Sequence, residues 1–217
     1  MTHVSVEITD VAFPNNYGVA KKDGRVIFVP GGVPGDIVRI SIAREAKGYA
    51  YGAIDSIEKP SPFRTDPACP HLGICGGCTL QDLAYGKQLE LKENYLRQTL
   101  KRIGGIDVDR IEVLPIIPSP DQYFYRSKVE LAFGEKDGGI VLGMRERVSP
   151  FRQYGAVTVP VAACPVFSSV VEAIIPVVMG FTGRERLTPY NAVTGKGVLR
   201  HLIVRESKTA GEIMVTL

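Results

Sequence analysis

The sequence has no long hydrophobic run. No window reaches the roughly 18 consecutive apolar residues that a membrane-spanning helix needs, and the apolar stretch VVEAIIPVVMGF is interrupted by Glu172 and Pro176. The beginning of the chain, MTHVSVEITDVAF, lacks a basic segment followed by an apolar one, so it does not resemble a secretory signal peptide. We therefore expect a cytoplasmic protein with no membrane partner, in which thiols stay reduced and disulfides are rare.

Groups that mark a catalytic site are also scarce. The 217 residues include only three histidines and four cysteines. The histidines, His3, His71 and His201, are scattered, and no spacing suggests a Ser/His/Asp arrangement. No G-x-G-x-x-G segment follows a strand in the way that dinucleotide-binding sites require. We therefore predict no catalytic residue within this chain.

Charge gives a weak indication of a partner. The net charge is only +3, and residues 121–217 hold twelve Lys/Arg against nine Asp/Glu, which accounts for the whole surplus. A basic excess suits a nucleic-acid partner, because neutralised phosphates release counterions. It suits an ordinary solvated surface equally well.

The hydrophobic pattern divides the chain into two parts. Residues 4–58 alternate in short apolar runs between the turn signals NNYG, KKDG, PGGVPGD and AKG, a spacing typical of a small antiparallel barrel. The proline-rich stretch EKPSPFRTDPAC then predicts a linker. We place a β-barrel domain over residues 1–60 and a second domain over residues 61–217.

The second part mixes helices and strands. QDLAYGKQLELKENYLRQTLKRIGG predicts a helix that stops at Gly104, and Ser168 or Ser169 can cap a second, shorter helix. Strand-like runs follow from Pro118 onward and predict an antiparallel sheet. The expected fold class is therefore α+β, a small OB-like barrel followed by an α/β domain. In the first helix, an apolar row recurs at helical spacing and Lys, Glu and Arg fill the other face; the row is formed by Leu89, Leu96, Leu100 and Ile103.

The cysteines form the most specific pattern in the sequence. Cys69, Cys75 and Cys78 lie within CPHLGICGGC, and Cys164 follows in AACPVF after 85 intervening residues. Three cysteines in one Gly/Pro-rich loop have no core to fill, so the pattern favours a metal site. Zinc usually takes its ligands as two short C-x2–4-C pairs, whereas three local ligands and one remote Cys-Pro are typical of a [4Fe–4S] cluster. Zinc remains the alternative, with His71 as a further donor or as a solvated loop residue.

Basic and aromatic residues alternate in two of the predicted strands. Because side chains alternate along a strand, Arg126 and Lys128 would share one face, as would Arg145 and Arg147. Such cations can track phosphates while Tyr125 or Phe124 stacks on bases. The barrel offers a weaker set of the same kind, formed by Tyr17, Lys21, Lys22 and Phe28. An ordinary solvated sheet face is the competing interpretation for both sets.

Several segments together resemble a known family. CPHLGICGGCTLQDLAYGKQLELKENYLRQTL, YFYRSKVELAFG, LGMRERVSPF and VAACPVF are similar, in this order, to the N-terminal half of bacterial RNA (uracil-5-)-methyltransferases. The similarity is to the cluster-containing branch that makes 5-methyluridine in ribosomal RNA. YGVAKKDGRVIFVPGGVPGD resembles the TRAM domain at the start of those enzymes. The resemblance implies four cysteine ligands for a [4Fe–4S] cluster and RNA contacts at Arg126 and Lys128.

The family's catalytic module is missing from the resemblance. That module is a Rossmann-like S-adenosylmethionine-binding domain that carries the nucleophilic cysteine and the general base, and it lies C-terminal to all the matched segments. The chain also stops within the strand-like GEIMVTL, which suggests a cut through a larger protein. We therefore expect the chain to be the N-terminal portion of such an enzyme, monomeric and inactive by itself. Its expected partner is ribosomal RNA, with transfer RNA as the alternative.

Two other functional classes share features with this pattern. A complete RNA-binding module with a structural zinc bound by the four cysteines remains the alternative. A methylthiotransferase also combines a TRAM domain with a cluster, but it needs a C-x3-C-x2-C motif that the x5 spacing here does not supply.

Overall fold

The computed structural model describes residues 3–151 and 157–217. The chain divides into two compact units. The barrel unit comprises residues 1–67, 79–119 and 149–151, and the sheet unit comprises residues 68–78, 120–148 and 152–217. Across the described ranges, none of the helices is both long and apolar enough to cross a bilayer.

The barrel unit contains one six-stranded sheet with the strand order β1-β5-β6-β4-β3-β2. Its pairs are antiparallel except for β4 and β6, which are parallel. The first and last strands of this order, β1 and β2, are separated by only Ile8 and Thr9 in the chain, and the amide of Thr9 donates to the carbonyl of Val19 in β3 at 2.8 Å. The strands are β1 (His3–Glu7), β2 (Asp10–Ala12), β3 (Tyr17–Lys22), β4 (Arg25–Val29), β5 (Ile37–Ala46) and β6 (Tyr49–Lys59).

Local sequence explains this barrel well. Alternate residues of each strand point inward, so small and branched aliphatic side chains fill the centre. The β3–β4 turn is formed by Asp23 and Gly24, whose φ angles of 49° and 76° suit a two-residue hairpin loop. The predicted KKDG turn is therefore confirmed. The buried core consists of Val6, Ile8, Ala20, Ile27, Val29, Val38, Ile40 and Ala50.

The helix α1 (Tyr85–Arg102) confirms the longest predicted helix, and its buried residue is Leu91. Leu91 packs against Val11, Val33 and Leu83 in the barrel unit. Leu96 is half exposed and Ile103 is 83% exposed, so these two members of the apolar row lie outside the core. The register of a helix against its neighbour, which the sequence pattern does not contain, decides which side is covered.

The predicted linker is tied down rather than free. Arg64, within it, donates to the carboxylate of Asp36 at 2.7 Å and to that of Asp82 at 3.1 Å. Asp36 is fully buried and also accepts the amides of Val33 and Ser61, at 2.8 and 2.9 Å. This network fixes the segment after β6 to the barrel.

The sheet unit contains a five-stranded antiparallel sheet of order β11-β10-β7-β8-β9. The helix α2 (Val170–Arg184) packs against one face; Ser169 occupies its N-cap position without a side-chain capping hydrogen bond, and the hydroxyl of Ser168 accepts the amide of Val170 at 3.3 Å. The strands are β7 (Lys128–Lys136), β8 (Gly139–Arg145), β9 (Thr158–Pro160), β10 (His201–Ser207) and β11 (Glu212–Thr216). The core consists of Val129, Leu131, Phe133, Leu142, Val161, Phe167, Val171, Leu199, Leu202 and Val204.

The compact units do not follow the division predicted at residue 60. The two sheets share no strand among the described residues. However, α1 belongs to the barrel unit because Leu91 is buried there, whereas the cysteine loop belongs to the sheet unit. Apolar contact distant in sequence, rather than the proline-rich stretch, sets the grouping.

Candidate metal centre and nucleic-acid interface

The cysteine loop, defined as residues 69–78, folds through tight backbone turns. The amides of Ile74 and Cys75 both donate to the carbonyl of His71, at 3.1 and 2.8 Å. Gly73 takes a φ of +85°, a conformation that favours glycine. The turns bring the three cysteines of the loop, all half-buried thiols, back towards the sheet.

The loop is paired with the end of β8. The amide of Gly76 donates to the carbonyl of Arg145 at 2.9 Å, and the amide of Arg147 donates to the carbonyl of Ile74 at 2.7 Å. A Cβ atom at Gly76 would lie 3.1 Å from the Arg145 carbonyl oxygen, so glycine permits this close approach. The backbone of the predicted basic segment therefore supports the cysteine loop.

Arg126 joins the loop to the segment of the remote cysteine. Its amide donates to the carbonyl of Val166 at 2.9 Å, two residues beyond Cys164. Its guanidinium donates to the carbonyl of Gly77 at 2.8 Å. Because β7 begins only at Lys128, the prediction that Arg126 lies on a strand beside Lys128 is wrong. A half-buried arginine at this point positions backbone rather than extending an open row of cations.

The pKa values of two thiols, those of Cys75 and Cys164, are shifted by their surroundings. Burial raises the pKa of Cys75 and the Gly77 amide, 3.3 Å from its sulfur, opposes the rise, while charge on the other three cysteines raises it further. Burial likewise raises the pKa of Cys164, with a further increase from Cys78 and a decrease from Arg126. Bringing four thiolates together is unfavourable unless a cation binds among them.

The geometry stops short of a formed coordination sphere. Within residues 3–151 and 157–217, no three His, Cys, Asp or Glu side chains converge closely enough to hold a metal ion. The Cys69 sulfur lies 3.9 Å from Nδ1 of His71, which is a weak polar contact. The chemistry of the donors nevertheless fits a thiolate-bound metal, because the other three cysteines lie near enough to Cys75 to raise its pKa and the Gly77 amide points at its sulfur.

The remaining predicted RNA contacts of the sheet unit are spread over its surface. Lys128 pairs with Glu130 at 2.8 Å, and Arg145 donates to the Thr158 hydroxyl at 3.3 Å. Both lie on the sheet face opposite α2, since the core takes their strand neighbours. Tyr125 is 54% exposed outside the strands. Arg147 lies beyond the end of β8.

In the barrel unit, Lys21 and Lys22 are exposed at the end of β3, and Phe28 is half-buried in β4. Phe28 contacts two aromatic rings that sequence reasoning missed, those of Tyr49 and Tyr51 in β6. The alternating segment GYAYG carried the signal, because residues two apart on a strand share a face.

The sheet unit holds a second pair that the sequence analysis missed. The guanidinium of Arg200 lies 3.7 Å from the centroid of the Tyr190 ring. These residues line a cavity of about 400 Å³ with Arg145, Asn191 and His201. Only the fold brings them together, so no local pattern predicted the cavity.

Comparison with known proteins identifies the barrel. Residues 2–54 match the TRAM domain family, which confirms the predicted resemblance of this segment.

The whole chain is similar to RNA methyltransferases. It is 34% identical over 213 residues to an uncharacterized RNA methyltransferase of Bacillus cereus, covering 96% of this chain and 45% of that protein. A similar protein of Clostridium acetobutylicum is 34% identical over 200 residues, covering 92% of this chain and 42% of its own length.

A solved structure of an RNA methyltransferase is also similar to this chain. The tRNA (uracil-54, C5)-methyltransferase of Pyrococcus abyssi, in complex with S-adenosyl-L-homocysteine, superposes with a TM-score of 0.64 at 30% identity. The superposition covers 97% of this chain and 44% of that protein. The chain is thus homologous to RNA methyltransferases and spans less than half the length of the relatives it matches.

Proposed function

We propose that this chain is the RNA-binding, iron–sulfur-containing N-terminal part of an S-adenosylmethionine-dependent RNA (uracil-5-)-methyltransferase. The observation that carries the proposal is the similarity to RNA methyltransferases along nearly the entire chain, with the TRAM match over the barrel. The Pyrococcus abyssi relative, a uracil C5 methyltransferase found with S-adenosyl-L-homocysteine, supports both the uracil substrate and the methyl donor. Ribosomal RNA remains our predicted target, with transfer RNA second.

In this proposal the methyl donor binds outside the 217 residues. A cysteine of the full-length enzyme would add to C6 of uracil, and C5 would then take the methyl group of S-adenosylmethionine, which leaves as S-adenosylhomocysteine. Loss of the C5 proton with elimination of the cysteine would complete the reaction. All four cysteines of this chain are assigned as metal ligands, which leaves none to act as that nucleophile. We therefore expect the 217-residue chain to bind RNA without methylating it.

Cys69, Cys75, Cys78 and Cys164 would hold the [4Fe–4S] cluster. Bound there, the cluster would act as a structural tie between the cysteine loop and the segment that follows β9. Two hydrogen bonds of Arg126 already link the same two segments, since its guanidinium donates to the carbonyl of Gly77 and its amide donates to the carbonyl of Val166. The three-plus-one spacing supports this assignment, as does the rise in the pKa of Cys75 and of Cys164 to which neighbouring cysteines contribute.

Metal analysis of anaerobically purified protein tests the cluster. We expect about four irons per chain and a broad absorbance near ~400 nm, as four thiolates on a cubane cluster give. One zinc per chain in a colourless protein would refute the cluster and retain the four-cysteine site. Metal-free protein from anaerobic cells would refute both.

RNA binding is tested separately by fluorescence anisotropy with a labelled RNA hairpin at increasing salt. Affinity should fall steeply with salt as phosphate contacts are lost. A double charge reversal, Lys128→Glu with Arg145→Glu, should weaken binding and flatten the salt dependence. The matched control is Arg184→Glu with Arg186→Glu, which changes the net charge equally at the end of α2. Equal losses in both double variants would mean that only net charge matters.

A further inference from the structure

The outer face of the barrel carries four aromatic rings in mutual contact. The ring of Phe28 lies 5.6 Å from that of Tyr49 and 5.7 Å from that of Tyr51, centroid to centroid. Tyr49 and Tyr51 are 5.7 Å apart, and Tyr17 lies 6.2 Å from Tyr51. We call these four side chains the aromatic face.

The strand register places the aromatic face away from the barrel core. Phe28 of β4 is directly opposite Tyr51 of β6, so the two side chains share a face. Their strand neighbours Ile27 and Ala50 point the other way, into a core that the described residues build from Val, Ile and Ala alone. The rings are therefore not needed to fill the interior.

Access and charge differ across the aromatic face. Tyr49 is 36% exposed, Phe28 and Tyr51 are half-buried, and Tyr17 is buried beside them. Lys21 lies on the same side of β3 as Tyr17, and Arg44 of β5 is opposite Tyr51. Both cations are exposed at the margin of the rings.

A third cation supports the aromatic face from its edge. Arg25 pairs with Glu45 at 3.3 Å and donates to the carbonyls of Ala46 and Tyr49, at 3.2 and 3.0 Å. These bonds fix the turn between β5 and β6, and with it the backbone that carries Tyr49. The most exposed ring is therefore held on a fixed strand end.

We propose that the aromatic face is a stacking platform for unpaired RNA bases, with Phe28, Tyr49 and Tyr51 as the stacking side chains. Lys21 and Arg44 contact the phosphates on either side. The inference rests on the proposed function, which supplies RNA as the substrate, and deepens it by naming the class of RNA that the barrel takes. Bases within a duplex are stacked on one another, so only a single-stranded loop or end offers its bases to these rings.

Energetics separate this role from simple charge attraction. A base stacked on an aromatic side chain contributes about 1–3 kcal/mol with little sequence preference. Phosphate contacts contribute equally to any strand, with or without bases. The competing role is purely structural, because cross-strand aromatic pairs also stabilise a sheet.

Abasic RNA tests the platform on the unmodified 217-residue chain. The chain has nine tyrosines and no tryptophan, so its intrinsic fluorescence reports tyrosine directly. An oligouridine of about 12 nucleotides, within the site size of an OB-like barrel, should bind and quench this fluorescence. An abasic strand of the same length and charge should bind at least about tenfold more weakly, because it loses the stacks on all three rings and each contributes about 1–3 kcal/mol, and a duplex should leave the fluorescence unchanged.

Ring variants locate the effect. Tyr49→Leu should weaken oligouridine binding at least about fivefold, the loss expected for one stacked base, whereas Tyr49→Phe, which keeps the ring, should bind like the wild type. Tyr95→Leu is the matched control, because Tyr95 is an exposed tyrosine of α1 in the same unit. Thermal unfolding of each variant shows whether the barrel is intact.

Each outcome is decisive. Equal affinity for oligouridine and abasic RNA overturns the platform while leaving RNA binding, and the proposed function, in place. A chain that binds neither strand nor the labelled hairpin overturns the proposed function itself. If Tyr49→Leu unfolds the barrel, the abasic comparison on the wild type still decides. Quenching by duplex RNA as strong as by oligouridine also overturns the inference.

Discussion

Two arginines, one in each unit, hold a loop in place, and they do so with different partners. In the barrel unit, Arg64 contacts the carboxylates of Asp36 and Asp82 and the carbonyl of Gly31, at 2.7, 3.1 and 2.8 Å. In the sheet unit, the guanidinium of Arg126 donates to the carbonyl of Gly77 alone among the contacts resolved for it in the described chain. One loop is held by an ionic network, the other by a single hydrogen bond and backbone pairing.

The difference indicates where each unit obtains its remaining stability. The barrel network is complete, because the carboxylates of Asp36 and Asp82 share the Arg64 guanidinium. In the proposed function, the three thiols of the cysteine loop and the thiol of Cys164 bind a metal centre, and that centre would supply part of the stability of the sheet unit. We therefore expect the barrel unit to be insensitive to metal removal and the sheet unit to depend on it.

The largest expected effect comes from Arg64→Ala, which leaves the fully buried Asp36 carboxylate without a cation. Breaking a buried pair in this way costs about 3 to 5 kcal/mol, measured as the free energy of unfolding in urea. Arg110→Ala removes an exposed partner of Asp107 and should cost less than about 1 kcal/mol. Similar losses in the two variants would show that the network is weaker than its burial indicates.

Cys164→Ser should have the next largest effect, and only in metal-loaded protein. It removes the ligand that links the loop to a position beyond 85 intervening residues, and a long cross-link contributes about 2 to 4 kcal/mol. The variant should lose its iron, and its metal-free form should unfold like the metal-free wild type. His71→Ala is the control within the loop and should keep its full iron content. If His71→Ala lost its iron and Cys164→Ser kept it, His71 rather than Cys164 would be a metal ligand.

Arg126→Gln should have a smaller effect, and it separates two roles for this residue. Loss of the bond to Gly77 should cost about 1.5 to 3 kcal/mol and hasten iron loss to a chelator. If Arg126 contacts an RNA phosphate instead, the slope of log affinity against log salt concentration should become smaller by about 1 in Arg126→Gln, while iron retention is unchanged. Iron content and salt dependence measured on the same sample distinguish the two.

The smallest effect is a pH dependence within the barrel network. Burial raises the pKa of Asp82, and the charge of Arg64 opposes the rise. A carboxyl with a raised pKa binds its proton more tightly in the folded chain, so its contribution to stability declines as the pH rises through that pKa. Asp82→Asn has no titrating group at this position, so its free energy of unfolding should not show this decline. The difference in stability between Asp82→Asn and the wild type should therefore shift in favour of the variant as the pH rises from acid to neutral. Parallel pH profiles would contradict the expectation.

Local patterns predicted the elements of this fold better than their partners. Alternation and the Asp23–Gly24 turn define the barrel strands, and helical spacing with Gly104 defines the extent of α1. Helical spacing does not identify Leu91 as the buried residue of α1, because Leu91 meets Val11 and Val33, residues that lie far earlier in the chain. A local sequence pattern contains no information about contacts between residues so far apart in the chain.

The candidate sites show the same limit. Spacing alone singled out the four cysteines, because three of them lie within ten residues. The role of Arg126 could not be predicted, since its partner Gly77 lies 49 positions away. The sequence predicts only part of the aromatic face. Phe28 is a predicted RNA contact, but Tyr49 and Tyr51 become its neighbours only through the parallel pairing of β4 and β6.

The pairing between the cysteine loop and the end of β8 has a consequence for how the sheet unit would respond to its ligands. The carbonyl of Arg145 and the amide of Arg147 are both engaged by the loop, while the side chains of the same two residues are predicted phosphate contacts. Occupancy of the thiols would restrict the backbone from which those cations extend. Thermodynamic linkage then requires reciprocity: whatever factor metal adds to RNA affinity, bound RNA adds to metal affinity.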